Sequence, residues 1–576
     1  MRILLLLLIS MQAAAQQLPP VFAKDRVAQN TATVRSYLSP ERIVWKTDSG
    51  IVNAERFLLP GNGQADLANR NMCKLKGRAG ILLDYGKELH GGLQIVTGMY
   101  KGNKPVKLRV RFGESVSEAM SDIEPKKNAT NDHAMRDLIV EVPWLGKLEV
   151  GNTGFRFVRI DLLDDNVVLD LKEVRAVFVY RDLAYKGSFN CSDPLLNKIW
   201  LTGAYTVQLN MQDYLWDGIK RDRLVWVGDM HPEVSTIYSV FGDNEVITKS
   251  LDLSKDITPL PQYMNGMVSY SMWWVLIQRD VYLHTGNFAY LKQQAAYLKG
   301  LLQHFLTKID AQHKESLHDG TRFLDWPSSE DPKAVHAGLQ AMMIMTLKAG
   351  EELSKVLGDK ATATTCSNAI NSLKQYVPDA SNSKQAAALM ALSGLAPADK
   401  MNKEIIAVNG VKNYSTFYGY YMLQAKALAA DQAGALADIR TYWGAMLNLG
   451  ATTFWEDFNM DWLPNASRID EMVKPGQKDI HGDYGAYCYI GLRHSLCHGW
   501  ASGPTPWLTE HVLGIKVLEP GCRVIRIKPF LGDLSYAEGT FPTPYGIVSV
   551  KHTKEPNGKI RSEIKAPKEV KVVKEQ

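Results

Sequence analysis

The sequence predicts a multidomain chain: an N-terminal β-sandwich, a long central helical domain and a small C-terminal β domain. Three observations predict it. Short alternating runs separated by polar turns fill residues 40–185, apolar residues recur at helical steps from about 192 to 512, and strand-like runs return beyond 513. A chain of 576 residues is also too long for one core and favours roughly two to four domains.

In the first region Val106-Lys107-Leu108-Arg109-Val110-Arg111-Phe112 alternates apolar and basic side chains, as a half-buried strand does. Phe155 to Leu162 is a second strand. Gly91-Gly92 and Gly151-Asn152 read as turns between such runs, and several short strands with polar turns suggest a sandwich. The texture changes at Ser192-Asp193-Pro194. Beyond it Val335, Leu339, Met342, Thr346, Gly350 and Leu353 recur every three or four residues, and similar runs occupy 288–308, 361–377, 383–394 and 415–440. Many consecutive helices of this length favour packed hairpins in a bundle, a solenoid or a closed barrel, and periodicity does not choose among these. At the end Val524–Lys528 and Ile547–Val550 are strand-like, with Pro542-Thr543-Pro544-Tyr545-Gly546 as the turn between them.

Arg2, the apolar run Ile3–Ile9 and Ala13-Ala14-Ala15 form a secretory leader, cleaved after Ala15, which predicts a periplasmic or secreted protein. No stretch reaches the roughly 18 apolar residues of a spanning helix. No Cys follows the cleavage point, so no lipid anchor is expected there. Lys and Arg total 66 against 61 Asp and Glu, an excess too small over this length to argue for nucleic acid or a membrane surface as partner. Six Cys in so long a chain make packed thiols, with at most one disulfide, rather than a disulfide framework. The spacing of Cys488, Cys497 and His498 fits no zinc pattern, so no metal site is expected.

Eleven of the 13 Trp lie between Trp200 and Trp507. Most must fill helical core, but a flat ring beside a carboxylate suits a sugar face. That pairing occurs at Trp216-Asp217, Trp226 near Asp229, Asp325-Trp326 and Trp455-Glu456-Asp457. The densest cluster, residues 216–233, carries Asp217, Asp222 and Asp229 at steps of five and seven, which share no helix face. Gly218 and Gly228 suggest a loop whose side chains converge on one pocket. A surface loop of Asp–Arg ion pairs explains the same spacing equally well.

Asp217-x-x-x-Arg221-Asp222-Arg223-x-x-Trp226-x-Gly228-Asp229 resembles the acidic signature of the α-L-rhamnosidases of glycoside hydrolase family 78, roughly D-C-P-x-R-E-R-x-G-W-x-G-D. Gly450 to Glu456 is similar to the family's G-A-T-T-x-W-E, and His498 to Pro504 to its H-x-W-S-A-G-P. The resemblance extends over nearly all of the chain beyond the leader. It implies an (α/α)6 barrel over residues 186–512, preceded by a sandwich domain at 16–185 and followed by a β domain at 513–576. It also implies inverting hydrolysis that releases rhamnose from an oligosaccharide or glycoside without cofactor. Asp222 takes the position of the general acid and Glu456 that of the general base. Asp217, Arg221, Trp226, Asp229 and His498, with Asp325 and Trp326 from a further D-W element, take positions in the sugar pocket.

The acid position holds Asp where the family has Glu, one methylene shorter, so the backbone must carry it closer to the glycosidic oxygen. Gly218-Ile219 replaces Cys-Pro, and Val225 replaces Gly. A general acid must keep its proton near neutral pH, whereas a free Asp titrates near about 3.9. Asp217 and Asp229 as neighbouring anions favour the protonated form of Asp222, Arg221 and Arg223 oppose it, and a better-solvated Glu456 stays ionised to activate water. A barrel hydrolase for another sugar, and a carbohydrate-binding relative without turnover, are the competing readings. A panel of aryl glycosides separates all three.

Overall fold

A computed structural model describes residues 32–67, 71–101 and 104–575. The leader read over residues 1–15 lies outside them. The N-terminal strands are β1 (Val34–Leu38), β2 (Arg42–Lys46), β3 (Ile51–Val52), β4 (Cys73–Lys76), β5 (Gly80–Thr97), β6 (Val106–Gly113), β7 (Asp137–Val142), β8 (Lys147–Leu162) and β9 (Val168–Tyr180). They join in a nine-stranded antiparallel sheet of order β3-β4-β9-β5-β8-β6-β7, with β1 added to β9 and β2 to β5. The long strands change partners along their length. β5 pairs β2 over Ile81–Asp84 and β9 over Gly91–Thr97 on one side and β8 on the other, with irregularities at 84/89 and 91/93 against β8 and at 96/97 against β9, so one strand serves two partners in succession.

Gly91-Gly92 and Gly151-Asn152 therefore lie inside β5 and β8 and are not the turns the sequence suggests. The reason is steric: a Cβ on Gly91 would stand 1.9 Å from Val177 O, and one on Gly92 would stand 2.4 Å from Val150 O. Glycine here lets neighbouring backbones approach at a bulge.

The central region alternates outer and inner helices. Inner helices are Met230–Val240, Val268–Thr285, Pro332–Val356, Lys384–Ser393, Gly419–Leu428, and Pro504–Trp507 continued through a π turn to Val512. Each packs on the next, and the last packs back on the first, which closes the ring. Outer helices are Pro194–Asn210, Glu245–Asp256, Phe288–Leu306, Lys360–Leu373, Ala398–Met401 with its π extension to Ile406, and Gln432–Asn448. The result is the (α/α)6 barrel. Burial follows position: the 268–285 helix is buried nearly all round at its N-terminal half, whereas the 245–256 helix buries only Val246, Ile247, Ser250, Leu251 and Ser254, one face. Capping signals fix several starts. Asp193 and Asp331 each precede Pro, and their carboxylates accept from Leu195 N at 2.8 Å and Lys333 N at 3.0 Å. The run read at 415–440 is two helices, broken at Ala429-Ala430-Asp431, where Ala430 turns left-handed and Asp431 caps the second.

Beyond the barrel, β11 (Ile515–Val517), β12 (Val524–Ile527) and β16 (Lys571–Lys574) form one sheet. β10 (Ser188–Cys191), β13 (Tyr536–Thr543), β14 (Gly546–Lys554) and β15 (Ile560–Lys565) form another. The Pro544-Tyr545 turn thus joins β13 to β14, and Val524–Lys528 pairs with neither. The sequence reading missed β13 because its Glu538, Gly539 and Pro542 interrupt the apolar alternation. All six Cys are free thiols, five of them buried. Among the described residues no helix is long and apolar enough to cross a membrane.

Candidate active site

Each inner helix is entered through a loop at one end of the barrel, and the conspicuous motifs occupy those loops. Backbone hydrogen bonds zip two of them together and fold the longer one, 449–503, on itself. Gly499 N donates to Asp217 O at 2.9 Å, Glu456 N donates to Ser495 O at 3.0 Å, and His498 N donates to Phe454 O at 2.9 Å. The segments around 217, 456 and 498, the first of them more than 200 residues from the other two, thereby line one mouth. Gly228 serves this packing, since a Cβ there would stand 2.3 Å from the Tyr270 ring.

Arg221 holds the centre. Its Nη1 donates to Asp222 Oδ1 at 3.1 Å, and its Nη2 donates to Glu456 Oε2 at 2.7 Å and Oε1 at 3.0 Å. Its Nε is anchored on Arg493 O at 2.7 Å. Burial works against the guanidinium charge, but Glu456 and then Asp222 outweigh it and hold Arg221 protonated. Two carboxyls 234 positions apart in the chain thus stand one guanidinium apart. Their environments are the reverse of the sequence expectation. Glu456 is the buried one, at 5% exposure, and takes a further bond from Ser495 N at 3.1 Å. Asp222 is partly open, with 17% of its side chain exposed. Segment 454–458 is sealed beneath 494–498, which sequence spacing could not show.

The other carboxylates divide into pins and pocket groups. Asp217 Oδ2 accepts from Asp222 N at 2.9 Å and Oδ1 from Leu224 N at 3.0 Å, so it shapes the loop that presents Asp222. Burial raises its pKa to about 7; His498 opposes the shift, while Asp229 and Asp222 add to it. Asp229 accepts from Tyr270 OH at 2.9 Å and pairs with His498 Nε2 at 3.1 Å. Burial pushes the Asp229 carboxyl up, and the bonds from His498 and Tyr270 draw it back. Burial also disfavours a charge on His498, but Glu456 and Asp229 prevail and hold the imidazole above its ordinary range.

Trp226, half-buried, meets Tyr270 edge-on at 6.1 Å between centroids. Trp326 stacks on Tyr487 at 5.9 Å and meets Tyr489 edge-on at 6.3 Å, and Tyr489 lies under the Arg221 guanidinium at 5.9 Å. Asp325 spends both oxygens within the protein: Oδ1 accepts from Ser328 Oγ at 2.5 Å, and Oδ2 from Ser415 Oγ at 2.7 Å and Gln385 Nε2 at 3.1 Å. It ties three hairpins together beside Trp326. All nine residues singled out from the sequence reach this end of the barrel, Asp217 and Asp325 as struts. A cavity of about 440 Å³, lined by inner-helix residues such as Asp280, Glu352 and Gln424 together with Ile515–Val517 and Phe541, contains none of the nine.

Sequence reasoning missed what the sheet module contributes. Lys220 Nζ, buried, contacts Glu114 Oε2 at 3.1 Å and Glu118 Oε1 at 3.4 Å, and donates to His494 O at 2.6 Å and Leu492 O at 3.0 Å. Glu114 and Glu118, with His481, are the one group of possible metal ligands among the described residues, and Lys220 already supplies it with positive charge. Lys220 therefore locks the loop carrying Arg221 and Asp222 to the sheet. In the sequence it is one basic residue among three. His133 is a second such contribution, its Nε2 lying 3.4 Å from Asp222 Oδ1. It sits in a polar stretch that reads as an ordinary sandwich loop.

Removing one member of a buried ion pair costs about 3–5 kcal/mol, so Lys220→Met should lower the unfolding free energy by that order near pH 8. Even with Lys220 present, burial holds the Glu114 carboxyl at about 7, with Lys220 opposing. A carboxyl raised in the folded state contributes fully below its unfolded value, about 4.3, and loses that contribution as pH rises through the folded one. The deficit of the variant should therefore be small near pH 5 and full near pH 8. Thermal melts at both pH values check this, and equal losses would show that Lys220 acts through packing alone.

The ring of hairpins with paired acids on one guanidinium defines a six-hairpin helical-barrel protein with a carboxylate-lined mouth. Comparison with known proteins agrees. The family model described as the bacterial alpha-L-rhamnosidase 6 hairpin glycosidase domain matches residues 184–512, and the bacterial alpha-L-rhamnosidase C-terminal domain matches 514–573. The chain belongs to this family of bacterial alpha-L-rhamnosidase six-hairpin glycosidase domains. It is 24% identical over 458 residues to an alpha-L-rhamnosidase of Alteromonas sp. (strain LOR), covering 70% of this chain and 46% of the relative. It is 24% identical over 489 residues to one of Formosa agariphila, covering 77% and 50%. The chain thus spans about half the length of these curated relatives. In fold it matches a family 78 rhamnosidase of Bacillus sp. GL1 (TM-score 0.73, 22% identity, 91% of this chain and 55% of that one). It also matches a Klebsiella oxytoca rhamnosidase solved with rhamnose bound (TM-score 0.64, 19% identity, 83% and 96%).

Proposed function

We propose that the protein is an inverting glycoside hydrolase that releases terminal α-L-rhamnose from glycans or glycosides. The observation that carries this reading is the placement of Asp222 and Glu456 on the two arms of the Arg221 guanidinium, one partly open and one buried. Asp222 is the general acid. Among the described residues its Oδ2 makes no hydrogen bond, which leaves that oxygen to face the glycosidic oxygen. Glu456 is the general base. Of the roughly four lone-pair positions of a carboxylate, Arg221 and Ser495 N occupy three, and the fourth is free for the attacking water. Arg221, bonded to both carboxyls, fixes the distance of Glu456 from Asp222. An inverting pair needs about 6.5–9.5 Å between carboxyl groups to admit that water.

Trp226 and Trp326 flank the mouth as apolar faces, and the Asp229–His498 pair, backed by Tyr270, offers polar atoms to ring hydroxyls. Acid–base chemistry of this kind draws on the two carboxyls alone, so no cofactor is assigned. We take residues 186–512 as the catalytic barrel, 16–185 as the sandwich module and 513–576 as the C-terminal module. We also take residues 1–15 as a cleaved leader, which places the enzyme in the periplasm or outside the cell.

Rhamnose as the sugar rests on the family and on its rhamnose-bound relatives. Purified protein should release rhamnose from an aryl α-L-rhamnoside or a rhamnose-ended oligosaccharide, with and without chelator, and leave aryl β-glucosides intact. Proton NMR should show the β anomer first, before mutarotation. Initial α anomer would overturn the inverting mechanism, and turnover of another glycoside in preference would overturn the sugar.

A further inference from the structure

Asp457 follows Glu456 in the chain and takes no part in the acid–base pair. It is 8% exposed, yet no cation pairs with it among the described residues. Its Oδ1 accepts from Phe458 N at 2.9 Å. Its Oδ2 makes no hydrogen bond among the described residues, and that oxygen stays open to solvent. Burial raises the carboxyl to about 7; the bond from Phe458 N opposes the shift, and Glu456 and Asp325 add to it. A buried carboxyl with a free oxygen and no counter-charge is costly to keep, and such groups concentrate at functional sites.

Its surroundings belong to the mouth. Asp457 N donates to His494 Nε2 at 2.9 Å, and the His494 ring lies 6.0 Å from that of Tyr489. Burial lifts the Tyr489 hydroxyl well above its ordinary range, and Asp457 adds to this more than any other neighbouring charge. Burial raises the Tyr487 hydroxyl too, with Glu330, Asp325 and then Asp457 adding. Tyr487 and Tyr489 are the rings that meet Trp326. Their hydroxyls and Trp326 Nε1 likewise make no hydrogen bond among the described residues, and all three atoms are open to solvent. An ionised carboxyl only accepts, an indole N–H only donates and a phenol does both. Neighbouring hydroxyls on a sugar ring match such a set, each giving its proton to one group and taking one from another, while the indole supplies a flat face for the ring.

We propose that Asp457 is a specificity-determining residue whose open oxygen accepts a ring hydroxyl of the bound sugar beside Tyr489 and Trp326. This rests on the reading of the mouth as a rhamnoside-hydrolysing site. The contact is to a part of the sugar that does not react, so it supplies binding and discrimination rather than bond cleavage. It selects a ring with a free hydroxyl at that position, because an analogue without one leaves the buried carboxyl unpaired. Glycosides alkylated or acylated there are refused for the same reason.

The test measures kcat and KM of the unmodified chain, Asp457→Asn and Asp457→Ala on the nitrophenyl α-L-rhamnoside and on analogues that each lack one ring hydroxyl. On the parent substrate both variants should lose about 10–100-fold in kcat/KM, the worth of a hydrogen bond to a charged group, chiefly through KM. On one analogue they should match the unmodified chain within about twofold, because the contact is already missing, and on the others they should lose as they do on the parent. Asp457→Asn keeps an oxygen for Phe458 N, so its melting temperature should stay near that of the unmodified chain and separates a lost contact from a lost fold. Equal losses on every substrate, or no loss on the parent, would overturn the role of Asp457 while leaving Asp222 and Glu456 as the pair. If the unmodified chain releases no rhamnose from the parent substrate, the reading of the site fails and the proposal fails with it.

Discussion

Glu456→Gln should abolish turnover of natural and activated rhamnosides alike. Water attack is common to every substrate, so a better leaving group cannot compensate for a missing base. General base catalysis contributes about 10²–10⁴-fold, and the loss should sit at the upper end, because the amide also weakens the hold on Arg221. Nη2 would lose its charged partner in a buried setting, where an unpaired charge is costly. The melting temperature should therefore fall as well, and binding of free rhamnose, followed by calorimetry, separates loss of chemistry from loss of structure. Azide, which needs no deprotonation, should restore rate in the variant and yield a glycosyl azide of inverted configuration. Retention of more than about a tenth of the activity would remove Glu456 from the base role, and Asp457, also buried and raised by burial to about 7, would be examined next.

Asp222→Asn should produce the second large effect, and one that depends on the leaving group. With a sugar or alkyl aglycone, the departing oxygen must be protonated, and turnover should fall by roughly 10²–10⁴-fold. Nitrophenolate leaves without that help, so its loss should be much smaller. Because Asp222 Oδ1 and the Asp217-bound Asp222 N help shape the loop, the amide variant keeps that geometry while removing the proton. Asp222→Glu is the informative companion. Its extra methylene must fit between Arg221 and His133, and retained activity would show that the loop tolerates the family's residue. Equal losses on both substrates would move the acid role elsewhere in the cluster.

The two effects depend on structure that was unequally legible. Helix positions followed from the apolar recurrence, because it reports on an element's own buried face; the caps at Asp193 and Asp331 became visible only in the structure. That residues 216–229 form a loop was legible too, since Gly218, Gly228 and carboxylates at non-helical steps form no helix face, but whether its side chains converge was not. Strand boundaries were less so. Gly91 reads as a turn only until another backbone is seen 1.9 Å from where its Cβ would be. β13 escaped because Glu538, Gly539 and Pro542 interrupt its alternation.

The sequence by itself determined the order of β, helical and β regions, the three motifs, and the pairing of acids with aromatics along the chain. It did so because local periodicity and residue chemistry are properties of short segments. Only the tertiary structure decided that the 504–512 helix closes the ring on the 230–240 helix, and that Arg221 joins Asp222 to Glu456. It also decided that Asp217 and Asp325 spend their oxygens on the protein, and that Lys220 and His133 couple the sheet to the site. Those facts turn on pairs of residues far apart in the chain. Which of them meet is set by packing and charge compensation across the whole fold, and no short window of sequence contains both partners.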